Sequence, residues 1–159
     1  PAGFNQQNVA KEITWRKKTM PNKYRDLADI IKLMAESPRL YNVASVEEIN
    51  EKTIPAMELN QYDIVRDKNG KAVSFAIWAF LNKQAHVRFA ATGEVESKDL
   101  KSGKYPWVIT MVSKEGYGKV HVLRLRKIFN KKLKSNEKVY WLRVDDNMKI
   151  QAANYGVTY

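Results

Sequence analysis

The stretch from Tyr105 to Lys134 constrains the fold of this chain more than any other. Tyr105 to Val112 is apolar and rich in β-formers, the pattern of a buried strand. It runs through Ser113-Lys114-Glu115-Gly116-Tyr117-Gly118-Lys119 into a long basic helix, Val120 to Lys134. Ser135-Asn136-Glu137 breaks that helix, and a further strand follows at Lys138 to Val144. A strand that leads into a helix and on to another strand calls for a sheet with helices packed on it.

The remaining segments fit that frame. Leu27, Ile30, Ile31 and Met34 fall on one helical face between Leu27 and Glu36. Ser37-Pro38 stops this helix, because the residue before a proline is pushed out of the helical region. Ser45 and Glu48 match a capping box and open a short helix, Val46 to Glu51. Asn60 to Arg66 and Lys71 to Leu81 read as two strands joined at Asp67-Lys68-Asn69-Gly70, a strong hairpin signal. His86 to Ala91 reads as a short strand or a helical turn, and Ser97 to Lys104 as a polar loop. Asp145 to Asn154 reads as a turn or short helix, and Tyr155 to Tyr159 as a terminal strand. The expected class is α/β (α+β), a mixed, mostly antiparallel sheet flanked by helices. Residues 1–26 are polar and basic with scattered aromatics, an extended arm suited to packing on its own domain or a neighbour; residues 27–159 form a single domain.

Composition narrows the function classes. The 159 residues suit one domain, and no apolar run approaches the roughly 20 residues of a membrane span. The absence of cysteine excludes disulfides, thiolate metal sites and a cysteine nucleophile, and two histidines make a metal site unexpected. The opening residues lack the order of a signal peptide, so the expected location is the cytoplasm, or a virion if the chain is phage-encoded. A formal net charge of +11 favours polyanionic partners, among them an acidic protein or, non-specifically, nucleic acid.

Candidate site residues follow from the glycine turn. Gly116 and Gly118 allow close backbone approach at a helix start, and Lys114 and Lys119 add positive charge, a natural anion site for a pyrophosphate or a phosphopantetheine arm. An ordinary strand-to-helix turn accounts for the same residues. His121, just past the turn, and His86 are the two candidates for a histidine base. Ser74, Ser97, Ser102 and Ser113 lack nucleophile-elbow context. Asp145-Asp146 fits a polar turn better than a carboxylate pair. Leu123 and Ile128, with Leu125 and Phe129, are the buried face expected of the long helix. Trp78, Trp107 and Trp141 are expected in the core, while Trp15 is freer. Phe4 and Trp15 on the arm, with Arg124 and Lys131 on the basic helix, are the candidate partner contacts, and a homo-oligomer is compatible with them.

A series of segments then matches a known pattern. These are Glu36-Ser37-Pro38, Ile54-Pro55-Ala56, Asn60-Gln61-Tyr62, Arg66-Asp67, Gly70-Lys71-Ala72-Val73 and Trp78-Ala79-Phe80-Leu81. Lys101-Ser102-Gly103, Trp107-Val108-Ile109, Leu125-Arg126-Lys127-Ile128-Phe129 and Leu142-Arg143-Val144-Asp145 continue it. In order and spacing, Leu27 to Val144 resembles the toxin-activating lysine acyltransferases, a divergent branch of the GNAT-type acyltransferases. The resemblance implies a GNAT-like fold and transfer of an acyl group from acyl carrier protein to a lysine. It also implies a catalytic histidine just after Ser-Pro and an aspartate in the strand after Trp107. Leu40 and Thr110 stand at those positions, and Lys114-Glu115-Gly116 replaces the family's turn. Two readings follow. In one, the chain has lost catalysis and serves as a binding or assembly component of a larger complex, such as a phage virion. In the other, it is an active acyltransferase that takes acyl carrier protein or acyl-CoA as donor, needs no further cofactor, and has recruited His121 together with another acid.

Overall fold

Ile30, Leu33 and Met34 form the buried stripe of helix α1 (Asn22–Glu36) in the computed structural model, which describes residues 22–40 and 44–159. Leu27 packs against the same core, but Ile31 is exposed, contrary to expectation. The stripe runs 27, 30, 33, 34, and Leu33 takes the place given to Ile31. Helix α1 starts at Asn22, so it takes in residues assigned above to the arm. Phe4 and Trp15 lie outside the described residues.

Ser45 caps α2 (Val46–Glu48), its hydroxyl accepting from the Glu48 N–H at 3.0 Å. Helical winding does not stop at Glu51. It widens into a π turn, Ile49–Thr53, and continues as α3 (Ile54–Glu58). Pro55 sits in the first turn of α3, directly after the π turn. Strands β1 (Tyr62–Arg66) and β2 (Ala72–Leu81) form the expected hairpin, with Gly70 at φ +79° in its turn. Of the short strand or helical turn expected at His86 to Ala91, the helical alternative is realised, extended to the ten-residue helix α4 (Lys83–Thr92). Two local signals define it: the Asn82 side chain accepts from Ala85 N–H, and Gly93 ends it at φ +70°.

Strand β3 (Tyr105–Ser113), helix α5 (Gly118–Lys132) and strand β4 (Lys138–Val144) realise the strand-turn-helix-strand run. Strand β5 (Ile150–Val157) begins earlier than expected. Asp145 makes the preceding turn tight, its Oδ1 accepting from the N–H groups of Asn147 and Lys149. Most of the segment expected as turn is thereby free to pair with β4.

The sheet order is β1-β2-β3-β4-β5, with β3–β4 parallel and every other pair antiparallel. Helices cover both faces. On one, Phe75, Ile77, Ala79, Leu81 and Trp107 pack against α1, α3 and α4. On the other, Ala76 and Trp78 meet Leu125 and Phe129 of α5. Leu125 and Phe129 are one turn apart on the buried line of α5, while Leu123 is exposed, against expectation, because it lies round the helix from that line. Trp78 and Trp107 are buried as expected, but Trp141 is 39% exposed, its ring lying over Gly156 of β5. No helix among the described residues is long and apolar enough to cross a membrane.

Candidate active site

Parallel strands β3 and β4 form ladder pairs only at Trp107–Tyr140 and Val108–Trp141. Beyond those pairs they part, although β3 runs on to Ser113 and β4 to Val144. At the same level the β2–β3 register slips, so that Trp78 faces Val108 and Ile77 faces Thr110, with Ile109 as the extra residue. A bulge beside a parted strand pair bends β3 locally and leaves backbone groups on its β4 side without ladder partners. Thr110 stands at this divergence. Leu40 is buried at 8% exposure in the core that also holds Ile77 and Ile109.

The turn after β3 opens toward solvent. Gly116 has φ +88°, and no atom lies within 4 Å of where a Cβ would sit on either Gly116 or Gly118. Helix α5 begins without a side-chain cap, so the first-turn N–H groups have no hydroxyl or carboxylate laid over them. Lys119 is exposed beside them. Lys114 is engaged elsewhere, its Nζ 2.8 Å from Glu36 at the end of α1. The hydrogen bond between them lowers the Glu36 carboxyl and raises the Lys114 ammonium.

His121 does not face this turn. It is fully buried between α5 and the sheet. Its Nδ1 lies 2.5 Å from Ser74 Oγ of β2, and that oxygen lies 2.5 Å from Ser113 Oγ of β3. On its other side, Nε2 is 3.2 Å from Asp63 Oδ2 of β1, an ion-pair distance without hydrogen-bond alignment. Arg124, one turn further along α5, clamps the same carboxylate with Nε at 2.7 Å and a second nitrogen at 2.9 Å. Four elements thus bring Ser113, Ser74, His121, Asp63 and Arg124 into one chain of polar groups. Arg124, a candidate partner contact, is held by Asp63; Lys131 is exposed in the last turn of α5. Sequence reasoning considered both serines only for a nucleophile elbow and passed over Asp63. The available signal was Ser74 itself, a lone hydroxyl inside an otherwise apolar strand, which must find a hydrogen-bond partner when buried.

His86 has a different setting. Trp107 Nε1–H donates to its Nδ1 at 2.9 Å, and its ring stacks on Tyr105 at 4.1 Å between centroids. Burial lowers its pKa. Along β1 lies a depression of about 410 Å³ lined by Arg25, Asp26, Tyr62, Asp63, Arg66 and Arg124 among others. There the Tyr62 hydroxyl donates to Asp26 at 2.7 Å and is pushed up to about 12, by burial first and by this bond second. Asp145 and Asp146 form a polar turn, with Asp146 paired to Arg39 at 2.9 Å. Among the described residues no group of three or more acidic or histidine side chains is arranged to hold a metal ion.

Comparison with known proteins converges on one group. Residues 20–154 match the model of the RTX toxin acyltransferase family. The lysine-acyltransferase RtxC of Vibrio cholerae serotype O1 is 28% identical over 98 residues, covering 61% of this chain and 64% of that protein. The chain therefore spans somewhat less than two thirds of the length of that relative. With the family model covering most of its length, this chain belongs to the RTX toxin acyltransferase family.

Proposed function

We propose that this chain transfers an acyl group from a thioester donor, acyl carrier protein or acyl-CoA, to a lysine of a partner protein. The observation that carries this reading is the parting of β3 and β4 beyond Val108 and Trp141, next to the open glycine turn at the head of α5. Unpaired backbone groups along an extended edge suit an amide-rich pantetheine arm, which binds by strand-like hydrogen bonds. Helix N–H groups beside it suit the phosphate of either donor. Holding thioester and amine in line removes much of the entropic part of the barrier, several kcal/mol, without a dedicated base. The family, and the name carried by the Vibrio relative, support lysine as acceptor.

A second reading, a non-catalytic component of a larger assembly, draws on Leu40 and Thr110. Leu40 is packed into the apolar core, and neither side chain can act as a base or carry a balancing charge. One experiment separates the two. The chain is incubated with octanoyl-CoA or octanoyl acyl carrier protein and a lysine-bearing RTX toxin fragment, and the fragment is read by mass spectrometry. The active reading expects an amide-linked octanoyl group. It also expects transfer to fall about 100-fold in Gly118→Trp, which fills the space at the turn and displaces the donor. Absence of transfer from both donors leaves the binding reading standing.

A further inference from the structure

We propose that Ser113 is a catalytic nucleophile, activated through Ser74 by the buried His121–Asp63 pair. The inference rests on the acyl-transfer reading for its thioester donor. It goes beyond that reading by naming a covalent acyl-serine intermediate.

Proton placement in the chain is tightly restricted. The Asp63 carboxylate, at ion-pair distance from Nε2, favours a hydrogen on that nitrogen. In the neutral ring Nδ1 is then an acceptor, and Ser74 must donate to it across 2.5 Å. Having given its proton to His121, Ser74 can only accept from Ser113, also at 2.5 Å. The hydroxyl proton of Ser113 therefore points inward along the chain, and its outward side carries lone pairs. When the ring takes a second proton, Nδ1–H donates to Ser74 instead. The Ser74 hydrogen then has an alternative acceptor in the Val112 carbonyl at 3.1 Å. Both protonation states of the ring keep Nδ1 and Ser74 hydrogen-bonded, while Nε2 stays at ion-pair distance from Asp63. The charged groups facing the ring are Asp63 from β1 and Arg124 from its own helix; β2 and β3 offer it hydroxyls. The Asp63 carboxylate, held in place by Arg124, faces Nε2 and stabilises the charge that forms there.

Access is found at one end. Ser74 and His121 are fully buried, whereas Ser113 is half-buried as the last residue of β3. It lies on the strand that β4 has left, and the glycine turn that follows leaves open space at Gly116 and Gly118. Ser113 is thus the member of the chain that a substrate can reach.

The reaction balances as follows. Ser113 Oγ attacks the thioester carbonyl, the C–O bond forms, and the C–S bond breaks with its electron pair leaving on sulfur. The hydroxyl proton passes through Ser74 to His121 Nδ1 and stays there, while the departing thiolate takes a proton from solvent. A lysine amine then attacks the ester. The C–N bond forms, the C–O bond breaks with its electron pair on Ser113 Oγ, the proton held by His121 returns through Ser74 to that oxygen, and the proton lost by nitrogen goes to solvent. Ser113 alone touches the acyl group; Ser74, His121 and Asp63 act through it as positioning residues.

The test uses the full chain with octanoyl-CoA and octanoyl acyl carrier protein, first without and then with the lysine-bearing toxin fragment. After rapid quenching, peptide mass spectrometry should find a hydroxylamine-labile octanoyl ester on Ser113. Ser113→Ala should lose the ester entirely, while circular dichroism shows the fold kept. His121→Gln should slow ester formation about 100-fold. The pH profile of that step should show one ionisation in the parent chain that is missing from His121→Gln, a change that loss of packing alone does not produce. An ester without onward transfer supports the relay and overturns lysine as acceptor. Lysine acylation that is undiminished in Ser113→Ala overturns the relay and leaves the acyl-transfer reading intact. Neither ester nor transfer overturns both.

Discussion

Trp107 holds the half-buried His86 in a neutral, Nε2–H form, because an indole N–H needs an acceptor at Nδ1. A second proton on the ring would have to enter at Nδ1 and break this bond. Burial lowers the His86 pKa in the folded state, below the ordinary value of about 6.5 kept by the unfolded chain. Between the two values the unfolded chain binds the extra proton. The contribution of His86 to stability is therefore present above about pH 6.5 and is lost as pH falls through the lower folded value. Thermal unfolding followed from about pH 7.5 to about pH 5 should show a falling midpoint. In His86→Asn, whose Oδ1 keeps the acceptor but does not titrate, the fall should be smaller; an equal fall would place the effect on other groups. Both histidines were legible in the sequence as candidates. Their partners were not, since Ser74 is 47 residues from His121 and Trp107 is 21 residues from His86, and no local pattern links them.

At the scale of elements, local signals carried well where the element was defined by its own ends. Ser37-Pro38, Ser45 and Asp67-Asn69-Gly70 stop, start or turn the chain where the sequence says they should. Phase around a helix was less legible. In α1 and α5 several apolar positions compete, and the docking partner chooses Leu33 over Ile31 and Leu125 over Leu123. The turn after the Ser97–Asp99 helix illustrates a constraint invisible in one sequence. The N–H groups of Ser102 and Gly103 both donate to the Phe80 carbonyl, and Ser102 Oγ accepts from Asn82. This draws the turn so close to the end of β2 that a Cβ on Gly103 would lie 2.5 Å from the Leu81 carbonyl oxygen and from the Asn82 Cα. Those are backbone atoms and cannot swing aside. Gly103→Ala should therefore cost about 1–3 kcal/mol in chemical denaturation, as overpacking does. Phe129→Ala, which empties the contact between α5 and Trp78, should cost about 3–5 kcal/mol. A smaller loss would mean that α5 is held chiefly by its polar chain.

For the molecule as a whole, a net charge of +11 meets a sheet covered on one face by a cationic helix. Arg126, Lys127, Lys131 and Lys132 are all exposed on α5. They run along α5 from its middle to its last turn, and under the acyl-transfer proposal such a field suits an acidic carrier protein, whose approach it accelerates. Binding of octanoyl acyl carrier protein, measured by fluorescence anisotropy, should weaken as salt rises from about 50 to 500 mM. Lys127→Glu with Lys131→Glu should weaken it by about tenfold or more, chiefly through slower association. Octanoyl-CoA binding should change far less in that variant. Equal losses for the two donors would put these lysines at the shared phosphate instead.

By itself the sequence determined the class of the fold, the strand-turn-helix-strand run from Tyr105 to Val144, and the family. Those depend on periodicity, turn residues and segment order, which a chain carries locally. Tertiary structure decided where β3 and β4 part, which face of α5 is buried, and that His121 is sealed against Ser74 and Asp63 rather than turned to the glycine loop. The physical reason is burial. A polar side chain pressed between helix and sheet must find its partners among whatever strands lie beneath it, and strand order and register are settled by packing of the whole core.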